Sequence, residues 1–227
     1  ENNPDKDDTL TIDEIKYALD SFGTKLDFVG FDACLMATVE TAYALKDSAN
    51  YLIASEETEP GTGWDYKTIL RQLSSNTSQD AETLGKVVVD SFIKSNNGFM
   101  DPDATLSLVD LSKMDKVYSN LENFMQDIKS QEFNTKRYGN VSKAIYRTKA
   151  FADGDIDTID LVDFANNINV SSSNALVNSI NEAVVYNKKT RNVGNSNGLS
   201  LYFPNENLSY YDTMIDIYKN IGFSNLY

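Results

Sequence analysis

The sequence predicts an α/β sandwich, in which a mostly parallel β-sheet carries helices on both faces. Short apolar runs at 26–31 and 51–55 have the length of buried strands, and a helical stretch at 36–46 separates them. A second helical stretch, at 81–94, precedes a third apolar run at 105–109. Strands that alternate with helices at this spacing are typical of a parallel sheet, because each parallel pair needs a crossover connection.

A helix is predicted before the first strand, from Thr11 to about Phe22. Thr11 and Glu14 have the spacing of a capping box, in which two side chains satisfy exposed N–H groups of the first turn. Apolar residues then recur on one helical face, and Gly23 is typical of the residue that ends a helix.

The rest of the chain is predicted to be mainly helical. A glycine-rich loop at 56–63 leads to a short helix near Tyr66. The later elements are helices near 113–130, 136–149 and 157–168, a stretch at 174–186 that begins as helix and is open to strand at its end, a strand at 198–204 and a helix at about 210–221. We expect one domain over 1–227, with a helical insertion at about 112–170.

The composition excludes several classes of function. The net charge is −14, from 20 basic and 34 acidic residues, so the surface repels nucleic acid and anionic membranes. No apolar run approaches the roughly 18 residues of a membrane span.

The single cysteine excludes an intrachain disulfide and a thiolate zinc cluster. The polar, acidic first eight residues lack the pattern of a signal peptide and resemble the inside of a longer precursor.

That cysteine, Cys34, follows directly on the strand at 26–31, where an α/β enzyme presents a nucleophile. The chain contains no histidine. A cysteine nucleophile normally needs an imidazole that takes its proton and later protonates the leaving group. Either Cys34 is inert packing, or its histidine lies on another polypeptide.

The segment 31–36, FDACLM, resembles the nucleophile strand of the clostripain family of cysteine peptidases, which share the caspase and gingipain fold. Three further segments agree with the family in order: 54–57 (ASEE), 61–66 (GTGWDY) and 198–204 (GLSLYFP). The similarity spans nearly the whole chain, and the first two segments are its most specific part.

The resemblance implies a caspase-like sandwich whose opening strands and catalytic histidine belong to a light chain, cut from the same precursor between the histidine and the cysteine. The acidic segment 1–10 would then be the cleaved linker, and this chain the heavy chain. The implied enzyme is a secreted or cell-surface bacterial endopeptidase. It cleaves protein or peptide substrates after Arg, with Lys as an alternative, through an acyl-enzyme on Cys34, and requires no cofactor.

Asp32 is the first candidate for binding the substrate. Side chains alternate along a strand, so Asp32 and Cys34 share a face. A carboxylate there would explain the family's preference for Arg or Lys, because a guanidinium pairs with carboxylates through two hydrogen bonds. The alternative is a carboxylate that caps local backbone N–H groups.

The glycine-rich loop and the residues after it supply the other candidates. Trp64 is expected to form a wall of the substrate cleft, and Asp65 is a second candidate anchor for Arg or Lys. Asp65 is equally compatible with an N-cap of the helix that begins at Tyr66, since Asp is a favoured cap. Glu56, with Glu57, closes the neighbouring strand and is expected on the rim of the site, although a solvated loop explains both glutamates almost as well.

Acidic residues at 153–157, followed by Asp160 and Asp163, raise the possibility of calcium. The order does not match an EF-hand loop, since glycine is second and the twelfth position is Phe164. A turn followed by acidic residues in the first turn of a helix is the preferred interpretation. We therefore expect no metal site, with calcium as the alternative.

Two other functions remain open. One is a non-catalytic relative with the same fold that binds peptides or partners. The other is an acidic binding or scaffold module in which Cys34 is only packed.

Overall fold

The structure is a computed structural model that describes residues 10–97, 102–154, 156–205 and 208–223. The strands are β1 (Leu26–Gly30), β2 (Ala49–Ala54), β3 (Thr105–Asp110), β4 (Thr158–Asp160), β5 (Val184–Lys189) and β6 (Ser200–Tyr202). The helices are α1 (Ile12–Ser21), α2 (Val39–Leu45), α3 (Tyr66–Ser75), α4 (Ala81–Ser95), α5 (Met114–Ile128), α6 (Tyr138–Arg147), α7 (Leu161–Ile168), α8 (Ser173–Ala183) and α9 (Tyr211–Asn220). Most of the predicted linker at 1–10 lies outside the described residues.

The main sheet has the strand order β1-β2-β3-β5. Strands β1 and β2 are parallel, with Phe28 opposite Tyr51, and both other pairs are antiparallel. The α/β sandwich is confirmed, but the expectation of a mostly parallel sheet is corrected for the strands of this chain. The single helix α2 connects β1 to β2, and these two strands are parallel. The two packed helices α3 and α4 connect β2 to β3. Because this pair of helices brings the chain back to the same end of the sheet, β3 runs antiparallel to β2.

The strand predicted at 198–204 forms, but it belongs to a second sheet. In that sheet β6 pairs with β4 in antiparallel register, and an isolated bridge between Thr38 and Ser200 connects β6 to the start of α2. The helix predicted at 157–168 is correct only from Leu161 onward. Asp160 caps α7 by accepting a hydrogen bond from the Asp163 N–H at 2.7 Å, so the residues before it are free to pair as strand β4.

The core has two parts, one on each face of the main sheet. On one face Leu52 and Val109 pack against α2, α5, α7, α8 and α9. On the other, Ile53 and Leu108 pack against α3 and α4. Because side chains alternate along a strand, neighbouring residues of β2 contribute to opposite layers. The predicted insertion at 112–170 supplies Phe124 and Phe164 to the first layer, so it shares the core with the rest of the domain.

The edge of the sheet at β1 is open within the described residues, because β1 pairs with β2 alone. The burial of this strand is incomplete: Leu26, Phe28 and Val29 remain partly accessible. Helix α1 packs against α2 and α9 and has no fully buried residue. No helix among the described residues is long and apolar enough to cross a membrane.

Candidate active site

Cys34 lies on a turn directly after β1, and its side chain is exposed. The turn passes through Leu35, whose φ of +62° lies in the left-handed region that non-glycine residues rarely adopt. Beyond it, the Ala37 N–H donates to the Ser55 carbonyl oxygen at 2.8 Å, which returns the chain to the end of β2. The thiol is therefore presented outside the sheet on a turn fixed at both ends.

The Sγ of Cys34 faces the loop that follows β2. The backbone N–H of Glu59 lies 3.2 Å from Sγ, in position to donate a hydrogen bond. The Glu59 carbonyl oxygen lies 4.0 Å from the same sulfur, so the backbone of Glu59 fixes the position of the thiol.

The carboxylate of Asp32 lies beside the same loop. Its Oδ2 accepts hydrogen bonds from the Trp64 backbone N–H at 3.2 Å and from the Tyr66 hydroxyl at 2.9 Å. Gly63 allows this approach, because a Cβ at this position would lie 2.8 Å from the same oxygen and because its φ is +63°. Asp32 therefore accepts a backbone N–H from a distant loop and not from its own neighbours, its carboxylate remains exposed toward solvent, and its role in binding the substrate stays a prediction.

Glu59 contacts Asp32 from the other side. Trp64 donates its indole N–H to Glu59 Oε2 at 3.1 Å, and the Glu59 carboxyl interacts with that of Asp32. Partial burial, followed by the contact with Asp32, raises the pKa of Glu59 to about 9. Sequence reasoning missed Glu59. The loop contains three glutamates, and only its folded backbone shows that Glu59 is the one that reaches Asp32. Its position directly before a Pro-Gly turn was the available signal.

Trp64 lies beside Asp32 and Glu59, and its use as a wall of the substrate cleft stays a prediction. It is 9% exposed, and its ring lies over Gly30, where an added Cβ would be 2.8 Å from a ring carbon. The ring also stacks with that of Tyr66 at a centroid distance of 6.5 Å. The absence of a side chain at Gly30 therefore sets where the indole lies and, through it, where Glu59 is held.

Asp65 caps α3. Its Oδ1 accepts a hydrogen bond from the Thr68 backbone N–H at 3.0 Å, and its Oδ2 accepts one from the Thr68 hydroxyl. These bonds lower the pKa of Asp65. The N-cap interpretation is confirmed, whereas its use as a second anchor for the substrate stays a prediction.

Glu56 lies in the interior, which corrects its prediction as a rim residue. It is 1% exposed, and its Oε2 accepts hydrogen bonds from the Ser196 hydroxyl and the Gly198 N–H. Burial, and then the nearby carboxylate of Asp160, raise the pKa of Glu56 well above its usual value. Glu56 follows the end of β2 and faces inward, toward the loop before β6.

Glu57 is also largely buried, at 4% exposed, and it forms an ion pair with Lys149 at 3.3 Å. It accepts a further hydrogen bond from the Ala152 N–H at 2.9 Å. Its carboxylate therefore holds the segment near 150 against the loop after β2, and does not face solvent as a rim residue would.

The acidic segment that suggested calcium does not gather its carboxylates in the described part of the chain, and Asp155 lies outside that part. Asp163 accepts from the Lys149 N–H at 2.8 Å, and Asp157 accepts from the Asn205 N–H at 2.9 Å. Among the described residues, no cluster of three or more potential metal ligands forms.

A large apolar groove of about 840 Å³ begins at Cys34 and extends away from the Asp32 pocket. It runs between the first turn of α1, the residues after Cys34 and helix α9. Its lining includes Leu10, Ile15, Met36, Tyr202, Met214 and Ile217.

Comparisons with known proteins agree with this geometry. The sequence matches the clostripain family over residues 2–225. It is 26% identical to clostripain of Hathewaya histolytica over 231 residues, which cover 82% of this chain and 44% of that protein. The chain thus spans less than half the length of this relative.

Two solved structures illustrate the fold. A clostripain from Bacteroides thetaiotaomicron in complex with a peptide inhibitor has a TM-score of 0.74 at 17% identity, and the alignment covers 96% of each chain. An inactive zymogen of a C11 protease from Parabacteroides distasonis has a TM-score of 0.69 at 20% identity, covering 92% of this chain and 62% of that one. At these identities the likeness shows the fold alone. With the family match over nearly its whole length and the caspase-like sandwich common to these proteases, the chain belongs to the clostripain family.

Proposed function

We propose that this chain is the heavy chain of a cysteine endopeptidase that cleaves peptide bonds after Arg, with Lys as the alternative. The observation that carries the proposal is the arrangement of Cys34 and Asp32. An exposed thiol and an exposed carboxylate follow the same strand two residues apart, and both contact Glu59.

The chemistry assigned to Cys34 is acyl transfer. The thiolate forms a bond to the carbonyl carbon of the scissile peptide, and the amine leaves with a proton from a histidine. Water then attacks the thioester, the histidine takes its proton, and the carboxylic acid and the free thiol are released. Within the described residues the N–H of Cys34 makes no hydrogen bond, which leaves it free to stabilise the oxyanion of the intermediate.

Asp32 is the group assigned to the cationic side chain before the scissile bond. The Trp64 N–H and the Tyr66 hydroxyl hold Oδ2 in place, so the carboxylate is oriented before the substrate arrives. A guanidinium or ammonium group that enters beside Trp64 would donate charge-assisted hydrogen bonds to the Asp32 carboxylate.

The histidine is assigned to a light chain from the same precursor. Support comes from the open edge of β1, which offers unpaired backbone groups to a further strand directly beside Cys34. The apolar groove continues from this position, and Leu10 and Phe22, next to the two ends of α1, are 73% and 66% exposed. A light chain that adds a strand to β1 and packs apolar side chains into the groove would cover both surfaces. We therefore expect the heavy chain alone to be insoluble or inactive.

We assign the complete enzyme to the outside of the bacterial cell, as the family resemblance implies.

Intact-mass spectrometry of the natively purified protein tests this proposal. The sample is measured before and after treatment with an Arg-based chloromethyl ketone, which alkylates a reactive thiol. One adduct per heavy chain, mapped to Cys34 and accompanied by a second chain, is the expected result, and Cys34→Ala should take up none.

A non-catalytic relative that binds peptides is the alternative. It would be favoured if a sample that contains both chains remained folded and unlabelled, or if the light chain lacked a histidine beside Cys34. A soluble, cooperatively folded heavy chain without a partner would contradict the two-chain assignment.

A further inference from the structure

The carboxyl groups of Asp32 and Glu59 lie against the same residue, Trp64, whose backbone N–H donates to Asp32 Oδ2 at 3.2 Å. Glu59 Oε2 accepts the indole N–H of Trp64, while Glu59 Oε1 is buried and has no N–H or hydroxyl donor among the described residues. Two neighbouring ionised carboxylates repel each other, and a buried carboxylate oxygen without a donor disfavours the charged form. One member of the pair therefore carries a proton in the empty pocket.

The surroundings indicate which member holds the proton. Asp32 is exposed, and its Oδ2 accepts two hydrogen bonds, from the Trp64 N–H and the Tyr66 hydroxyl. Glu59 is partly buried and accepts one hydrogen bond, from the Trp64 indole. The poorer solvation and the single donor place the proton on Glu59, in agreement with the pKa of Glu59, which burial and Asp32 raise to about 9.

We propose that Glu59 holds a proton in the empty pocket and releases it when the cationic side chain of the substrate binds at Asp32. This inference rests on the proposed specificity for Arg or Lys. A positive charge beside Glu59 favours the charged form of its carboxyl, since an opposite charge within about 4–6 Å has this effect. The empty pocket then carries a single negative charge, and the occupied pocket offers two carboxylates to one cation.

Among the residues that the structure describes, the other groups near Glu59 do not supply a competing cation at this position. The space on the outer side of the loop is lined by the carboxylates of Glu57, Asp103 and Asp153. Lys149 lies nearby but forms an ion pair with Glu57. On the inner side are Asp32, Tyr66 and the Cys34 thiol, and burial followed by the contact with Asp32 raises the pKa of Tyr66.

The proposal has a direct thermodynamic consequence. Because binding releases a proton below about pH 9, the affinity for a cationic ligand should rise with pH, by up to about tenfold per unit where release is complete. A neutral ligand should show no such slope. The measurement is made on a variant without the Cys34 thiol, so that neither the nucleophile nor the thiol proton contributes to it.

Isothermal titration calorimetry of the two-chain Cys34→Ala protein tests the proposal. The ligands are Nα-acetyl-arginine amide and its neutral isostere Nα-acetyl-citrulline amide. At pH 7.5, titrations in buffers of different ionisation enthalpy give the number of protons released per ligand bound. We expect close to one proton for the arginine ligand, and none when Glu59→Gln is added, because Gln keeps a donor for Asp32 but cannot titrate. Asp103→Asn, which neutralises an exposed carboxylate on the outer side of the loop, is the control and should leave the proton release unchanged.

The outcomes separate this inference from the proposed function. If arginine amide binds more tightly than citrulline amide but releases no proton, or releases the same number with Glu59→Gln, the specificity stands and the role of Glu59 is refuted. If the arginine ligand binds no better than the citrulline ligand, both proposals are overturned. As a second readout, KM for an Arg substrate should fall between pH 7 and 9 in the wild type and should be flat with Glu59→Gln.

Discussion

The backbone N–H of Glu59 lies 3.2 Å from the Sγ of Cys34, while the side chain of the same residue contacts Asp32. One loop residue thus connects the nucleophile to the carboxylate that is proposed to select the substrate. Substitutions of the Glu59 side chain leave the N–H in place, so specificity and reactivity can be changed separately at this position.

Asp32→Asn should reduce kcat/KM for Arg substrates by about 30- to 1000-fold, which corresponds to the loss of roughly 2–4 kcal/mol when a charged pair in a site loses one partner. The amide keeps the size of the side chain and its acceptor oxygen, so the melting temperature should change little. Steady-state kinetics with substrates that differ only in arginine or citrulline would measure the effect. Equal losses on both substrates would show that Asp32 acts on the fold of the site and not on the charge of the substrate.

Gly63→Ala should impair the same pocket through the backbone. Its φ of +63° strains any other residue, and the new Cβ would lie 2.8 Å from Asp32 Oδ2, so the Asp32 carboxylate has to move. Gly61→Ala is the matched control, because nothing lies within 4 Å of its added Cβ. We expect KM for Arg substrates to rise with Gly63→Ala alone, and similar kinetics for the two variants would contradict the geometry of the loop.

Asp65→Ala should lower the free energy of unfolding of the two-chain protein, because it removes the side chain that caps α3. Asp80→Ala removes the equivalent cap of α4, whose side chain accepts from the Thr83 N–H at 2.7 Å, and should have a similar effect. If Asp65 also anchors the substrate, its variant alone should raise KM for Arg substrates. Denaturation curves and kinetics on both variants would separate the two roles.

Glu56→Gln should stabilise the protein at high pH. Burial and Asp160 raise the pKa of Glu56 in the folded state above its unfolded value, so the folded state binds more protons and this group's contribution to stability decreases as pH rises from about 4.5. Gln has an oxygen for the Ser196 hydroxyl and the Gly198 N–H and does not ionise. The melting temperature of the variant relative to wild type should therefore increase between pH 5 and pH 8. An unchanged difference across that range would mean that Glu56 stays ionised in the folded protein.

The sequence predicted most of the elements because their signals are local. The capping box at Thr11, the cap at Asp65 and the apolar runs of β1 to β3 each depend on a few neighbouring residues. The direction of β3 and the pairing of β4 with β6 depend on how distant elements pack, and no local pattern contains that information.

The same distinction applies to the site. Cys34 and Asp32 could be placed together because they adjoin one strand, whereas Glu56 and Glu59 lie on one loop and reach opposite environments. Glu56 turns inward to Gly198, and Glu59 turns to Trp64. A difference of three residues along an irregular loop cannot be converted into a direction without its backbone angles, so the sequence could not tell the buried Glu56 from Glu59.

The left-handed turn at Leu35 has a consequence for handling the protein. It leaves the thiol of Cys34 accessible, and the chain has no second cysteine that could trap an oxidised sulfur as an intrachain disulfide. Oxidation to a sulfenic acid would then proceed either to a disulfide between two molecules or to irreversible higher acids. Preparations stored without a reducing agent should lose active enzyme by this route while remaining fully folded.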